Sequence, residues 1–178
     1  MKPKSFRPIA NEHSRILILG TIPSVQSRVE GFYYANPRNR FWQVLAVSYD
    51  KPLPQSVKDK TRLLLESSIA LWDVLSSCEI SGSDDSSIRK PVYNDIAAFA
   101  SGKPIEKILC NGRKAFALCH SLALPLPVLC LPSTSPANAA WNVERLTAAW
   151  KKELIIAKSS IIPSTSTAKG FPLCINDC

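Results

Sequence analysis

The 178-residue chain lacks several things, and each absence removes a class of function. No apolar run approaches the roughly 20 residues that a membrane-spanning helix needs. The basic N-terminus, MKPKSFRPIANEH, is followed by no signal-peptide core, so export is not expected. The two histidines, His13 and His120, have no ligand-like company. No Cys-x-x-C pair occurs among Cys78, Cys110, Cys119, Cys130, Cys174 and Cys178. Their spacing is irregular and three flank apolar stretches, where a free thiol behaves as a small hydrophobe. Zinc and iron–sulfur chemistry are therefore set aside. The expectation is a reduced, intracellular, cytoplasmic protein without metal or membrane attachment. There is no internal repeat.

What is present fits one compact domain: the chain is 46% hydrophobic and 20% charged. Lys and Arg number 22 against 14 Asp and Glu, a formal net charge of +8 that suits a polyanionic partner or a merely solvated surface. Ile16–Leu19, Ile69–Trp72, Ile105–Cys110 and Pro127–Leu131 read as short buried strands. Between and after them, residues 41–48, 57–67, 113–122 and 142–157 read as helices, and Pro91 is expected to open another reaching Ala100. Ser76–Lys90 reads as a polar loop. This alternation predicts an α/β sandwich around a mainly parallel sheet, with ligands bound beyond the carboxyl ends of the strands. The loops 20–40, 73–90, 111–114 and 132–138 then share one edge. Residues 1–158 are expected to form the domain and 159–178, without periodicity, a tail or peripheral segment.

The first of those loops carries unusual chemistry in two stretches. Gly20-Thr21-Ile22-Pro23-Ser24 leaves the first strand with backbone N–H groups and two hydroxyls, and is not a P-loop because no Gly-Lys-Ser/Thr follows. The segment from Gly31 to Trp42 gathers Phe32, Tyr33 and Tyr34 before Asn36-Pro37, then Arg38, Asn39 and Arg40. Aromatic faces can stack on an unpaired base, amides can read its polar edge, and guanidinium groups can hold phosphates. Phe41 and Trp42 read more simply as core residues opening a helix, for which Asn39 would be a good cap.

Gly20–Ser24, Tyr33–Trp42, Leu71–Leu75, Asn111-Gly112 and Leu131–Ala139 together resemble the uracil-DNA glycosylase superfamily, in order, over about residues 14–157. The hypoxanthine-DNA (deoxyinosine) glycosylases are the branch most resembled, and the second stretch is also similar to the mismatch-specific uracil glycosylases. The resemblance implies a three-layer α/β/α sandwich around a four-stranded parallel sheet. It also implies monofunctional hydrolysis of the N-glycosidic bond in DNA, releasing a deaminated base and initiating base excision repair. No cofactor is implied, and a monomer is expected.

The resemblance further implies roles by position. Related branches carry Asp or Asn just before the first-loop proline to handle water; here that position is Ile22, which cannot. Asn39 is then the catalytic candidate, with Asn36 its competitor. Tyr34 matches the aromatic on which the flipped base stacks, and Asn111 the group that hydrogen-bonds its edge. Gly20, Thr21, Ile22, Pro23 and Ser24 would complete the pocket. Ser133, Thr134, Ser135 and Pro136 would press into the DNA, without the histidine or large apolar wedge that several branches place there. Arg38 and Arg40, with Arg28, Arg113 and Lys114 nearby, are expected to contact phosphates. His120, Asp73 and the Asp84-Asp85-Ser86 stretch read as structural or loop-ordering. Hypoxanthine is the expected base and uracil the next. The competing readings are a uracil- or mismatch-preferring glycosylase, or a non-catalytic nucleic-acid or nucleotide-binding module, which Ile22 favours.

Overall fold

The computed structural model describes residues 3–81 and 87–155. Its elements in chain order begin β1 (Ile16–Gly20), α1 (Val25–Glu30), α2 (Phe41–Ser48), α3 (Val57–Glu66) and β2 (Ile69–Asp73). Next come β3 (Leu75–Glu79), β4 (Arg89–Tyr93), α4 (Ile96–Ser101) and β5 (Lys107–Asn111), then α5 (Arg113–His120), β6 (Val128–Leu131) and α6 (Val143–Leu154). Strands β2-β1-β5-β6 form one sheet in that order, with every pairing parallel.

The period of two along each strand sorts the core into two layers. Ile16 and Ile18 of β1 face Phe41 and Leu45 of α2, Leu64 of α3 and Trp150 of α6. Leu17 and Leu19 face the other way, toward Ile96 of α4 and Ala115 and Cys119 of α5. A parallel strand covered on both faces must be apolar at nearly every position, and β1 is buried throughout. The result is the expected three-layer α/β/α sandwich around four parallel strands. Phe41 and Trp42 are core residues, as their place at a helix start suggested.

Local chemistry sets the helix ends. Ser56 and Asp59 form a reciprocal capping box at α3, while Asn142 accepts from the Arg145 N–H to start α6. Leu146, Trp150 and Leu154, four residues apart, give α6 its buried stripe. The N-terminal arm lies along the open edge of β2: Ile9 and Leu71 exchange N–H···O bonds of 2.9 Å in both directions. That cover removes a pairing edge that would otherwise be exposed.

Three expectations need correction. Pro91 does not open a helix. It sits inside β4, an exposed strand paired among the described residues with β3 alone, where a missing N–H can face away from the ladder. The helix that follows starts at Ile96, behind Asp95, whose side chain accepts from the Ala98 N–H. The polar stretch 76–90 is likewise not all loop, because Leu75–Glu79 pairs antiparallel with Arg89–Tyr93. Helix α1, not anticipated, is one short turn and a half between the Ser24 cap and Gly31 in left-handed geometry. Asp84, Asp85, Ser86 and the segment 159–178 lie outside the described residues.

Candidate active site

Strand β1 is flanked by β2 on one side and β5 on the other, so the chain leaves it in opposite directions and a crevice opens at its carboxyl end. A cavity of about 140 Å³ occupies that crevice. Gly20 to Ser24 form its floor, with Asp73 from the end of β2, Asn111 from the end of β5, and Ser133 and Ser135 beyond β6. Tyr34 and Asn39 enter from the aromatic segment. Most residues proposed from the sequence to bind a base are therefore brought together at one sheet edge.

Gly20 is packed too closely to take a side chain without its neighbours moving. A Cβ there would stand 2.8 Å from Asp73 Oδ1 and 3.0 Å from the Tyr34 hydroxyl. Gly112 is constrained by its backbone as well: its φ is +100°, and a Cβ would approach Ser133 Cβ at 3.0 Å. These two positions let the loops after β1, β5 and β6 close on one another. Ile22 packs its side chain against the second core layer, so the first loop supplies no polar side chain at that position.

The centre of the site is a three-residue hydrogen-bond chain. The Thr134 N–H donates to Asn111 Oδ1 at 2.9 Å, and Asn111 Nδ2 donates to Thr134 Oγ1 at 2.9 Å. A backbone N–H can only donate, so the Asn111 amide orientation is fixed. The Thr134 hydroxyl, already an acceptor, donates its own hydrogen bond to Asn39 Oδ1 at 2.9 Å. The Phe41 N–H donates to the same oxygen at 3.0 Å. Both lone pairs of Asn39 Oδ1 are therefore engaged, and Nδ2, for which no described residue is an acceptor, is left for the cavity. The capping role and the site role of Asn39 are one arrangement, since the cap sets the amide. Asn36 does not line the cavity and uses its Oδ1 on the Arg38 N–H at 2.9 Å.

Tyr34 adopts left-handed geometry, φ 49°, unusual for an aromatic residue. Its ring stacks on Phe41 with centroids 4.0 Å apart. Tyr33 is buried, and its hydroxyl donates to the Arg7 carbonyl at 3.1 Å. Burial, with the nearby Asp73 carboxyl, pushes its pKa upward.

The arginines separate into two kinds. Arg38 is exposed, as is Arg113, whereas Arg28 is half-buried and donates to the Pro23 carbonyl at 3.3 Å. Arg40 is instead bound into the protein: its guanidinium donates to the carbonyls of Thr134, Ser135, Asn138 and Trp141. The expected phosphate contact from Arg40 is thus revised to a clamp on the loop after β6, because four of its five N–H donors are taken by backbone oxygens. Within that loop Thr134 is fully buried, behind the cavity wall, while Pro136 is half-buried. Thr134 therefore supports Asn39 and Asn111 instead of meeting DNA. Lys114 is half-buried, and His120 ends α5 away from the cavity.

Two side chains acquire meaning only in three dimensions. Asp73 is 3% exposed, and Ser5 from the N-terminal arm donates to its Oδ2 at 3.0 Å. Burial raises its pKa to about 7, partly opposed by the Ser5 hydrogen bond. The sequence places Asp73 on the functional edge, but nothing in it signals Ser5, which is 68 residues away. Among the described residues, no cluster of His, Cys, Asp or Glu is gathered to hold a metal ion.

Comparison with known proteins agrees with this architecture. Residues 8–155 match the family described as the Uracil DNA glycosylase superfamily. A protein of Methanosarcina acetivorans named hypoxanthine DNA glycosylase is 33% identical over 150 residues, covering 82% of this chain and 94% of the relative. A protein of the same name from Methanosarcina barkeri is 33% identical over 118 residues, covering 65% of this chain and 74% of that one. The fold resembles a Methanosarcina acetivorans protein solved by NMR in solution and provisionally assigned as a uracil DNA glycosylase. The TM-score is 0.74 at 30% identity, over 86% of this chain and 97% of that one. The chain belongs to the uracil DNA glycosylase superfamily.

Proposed function

We propose that the chain is a monofunctional DNA glycosylase that hydrolyses the N-glycosidic bond of a deaminated base, hypoxanthine first and uracil second. The observation that carries this reading is the locked Asn39 amide, with its nitrogen left to a cavity at the sheet edge. The two relatives named hypoxanthine DNA glycosylase support the choice of base.

A base in a duplex is out of reach until its nucleotide is extruded, after which it must be held, its leaving charge stabilised, and water brought to C1′. Tyr34, backed on one face by Phe41, suits stacking on the extruded base. Asn39 Nδ2 and the remaining N–H of Asn111 are donors that can meet the negative charge developing on the departing base. Thr134 keeps both amides in place before the substrate arrives, so no reorganisation is needed at the moment of reaction. Asn39 acts in this scheme as a donor, because both acceptor positions of its oxygen are occupied; it does not take a proton from water. The exposed Arg38 and Arg113 suit phosphate contacts, and the loop at Ser133, Ser135 and Pro136 suits the space vacated in the duplex. Activity within a cell compartment that holds DNA, as a monomer, completes the reading.

Single-turnover incubation of excess protein with duplexes bearing one deoxyinosine or one deoxyuridine, followed by alkaline cleavage, tests it. Strand breaks at deoxyinosine, faster than at deoxyuridine, are expected, and Asn39→Ala should lose activity while Asn36→Ala retains it. No break in either duplex would favour the non-catalytic module that Ile22 suggests. Faster cleavage at deoxyuridine would move the substrate to uracil.

A further inference from the structure

Asp73 is the one carboxyl group among the described cavity-lining residues, and the amide mechanism above makes no use of it. A buried carboxyl normally ends in an ion pair, which neutralises its charge. This one does not: no Lys, Arg or His lines the cavity among the described residues, and its hydrogen-bond partner is the neutral Ser5 hydroxyl. The other titratable groups facing it are the phenols of Tyr33 and Tyr34, and burial pushes the Tyr33 pKa upward, away from neutral pH. Asn94, from beyond β4, donates its side-chain amide to the Asp73 main-chain carbonyl at 2.9 Å, and not to the carboxyl. Oδ2 is held by the arm, while Oδ1 packs against Gly20 beside the Tyr34 hydroxyl, and the residue as a whole lines the cavity.

We infer that Asp73 is a catalytic general acid specific to purines, donating its proton to a ring nitrogen of the extruded base as that base leaves. The inference rests on the glycosylase reading and deepens it. As the bond from C1′ to the purine breaks, its electron pair passes into the ring system. The Asp73 proton moves to a ring nitrogen, the base departs as a neutral tautomer, and a carboxylate remains. Water adds to C1′, its surplus proton goes to solvent, and the carboxyl is refilled from solvent. Hypoxanthine has ring nitrogens with free lone pairs that can take this proton. Uracil, whose other ring nitrogen already carries hydrogen, has no such nitrogen and leaves on the strength of the amide donors alone. Burial supplies the protonated form, holding the pKa near 7 instead of the usual carboxylate range.

The test is the pH profile of single-turnover cleavage by the intact protein on deoxyinosine and deoxyuridine duplexes. With deoxyinosine the rate should fall about tenfold per pH unit once pH exceeds the Asp73 pKa. Deoxyuridine cleavage should lack that descending limb. Asp73→Asn, which keeps a neutral donor of the same shape but no transferable proton, should lower the ratio of deoxyinosine to deoxyuridine cleavage rates by about tenfold or more at pH 6 and remove the descending limb of the deoxyinosine profile. Ser5→Ala removes the bond that favours the carboxylate, so it should move the descending limb to higher pH. A merely structural Asp73 would not produce that movement. A wild-type deoxyinosine rate that is flat, or that rises through pH 7, would overturn the general-acid assignment while leaving the glycosylase reading intact. Absence of cleavage in both duplexes would instead remove the glycosylase reading itself.

Discussion

Replacing Asp73 with Asn changes stability in a way that can be worked out before any activity is measured. In the unfolded chain this carboxyl titrates near its ordinary value of 3.8, and in the folded protein near 7. Between those values the folded state holds a proton that the unfolded state has released. Raising the pH through that window therefore destabilises the fold, at about 1.4 kcal/mol per pH unit. The stability associated with the protonated carboxyl is complete below pH 3.8 and lost by the time pH passes 7. From pH 5 to pH 8 the loss accrues over about two pH units, so about 3 kcal/mol. An Asn at 73 carries a neutral amide throughout and escapes this loss. Urea unfolding of both proteins at pH 5 and at pH 8 isolates the effect. The stability difference between them at pH 8, less that at pH 5, cancels both the pH-independent cost of the substitution and every other titration. The variant should gain about 3 kcal/mol relative to wild type across that interval. A double difference within about 1 kcal/mol of zero would mean that the carboxyl titrates in the folded protein much as it does in the unfolded chain. It would then be solvated or paired, and both this reasoning and the general-acid assignment would fail.

Substitutions at three further positions probe the rest of the site, and one at a fourth tests the base stack. Thr134→Val removes the hydroxyl between the two amides and leaves Asn111 Nδ2 without its acceptor, so denaturant unfolding should show a loss of about 1–3 kcal/mol. Single-turnover cleavage should fall with it, and Thr134→Ser should restore both. Arg40→Met should also destabilise the fold, yet leave the slope of DNA affinity against salt unchanged, because its guanidinium is committed to four carbonyls. Arg38→Ala should lower that slope by about 1 through loss of a phosphate contact. Tyr34→Ala should weaken the chemical step by about 1–3 kcal/mol through lost stacking, read in single-turnover rates; unchanged kinetics would exclude it from the pocket.

The parts of this fold legible from sequence are those whose environment is uniform along the chain. Ile16–Leu19 reads as a strand because a parallel strand between two helical layers must be apolar on both faces. Strand β4 is the opposite case: Arg89, Lys90, Pro91 and Val92 are exposed, and the segment is a strand because β3 lies beside it. Nothing in a run of exposed residues announces a partner, so Pro91 is open to the helix-start reading. Helix α1 is too short for periodicity to show, and only the Ser24 and Gly31 caps mark it.

The same distinction separates what can be read at the site. Residue types and their order place Gly20–Ser24, Tyr34, Asn39 and Asn111 on one edge, because each follows a strand or opens a helix. What each atom does there depends on contacts that sequence distance hides. Arg40 looks like a phosphate ligand until Thr134, Ser135, Asn138 and Trp141, about a hundred residues on, take its donors. Asn39 looks able to orient water through its oxygen until the Phe41 N–H and Thr134 hydroxyl fill both lone pairs. Asp73 looks like an ordinary strand-end acid until the arm residue Ser5 and the close-packed Gly20 enclose it. In each case folding removes options that the free side chain would have. With Arg40 committed to the loop and the Asn39 oxygen engaged, Asp73 keeps the transferable proton among the described cavity-lining residues, and that division of labour separates purine from pyrimidine chemistry in this site.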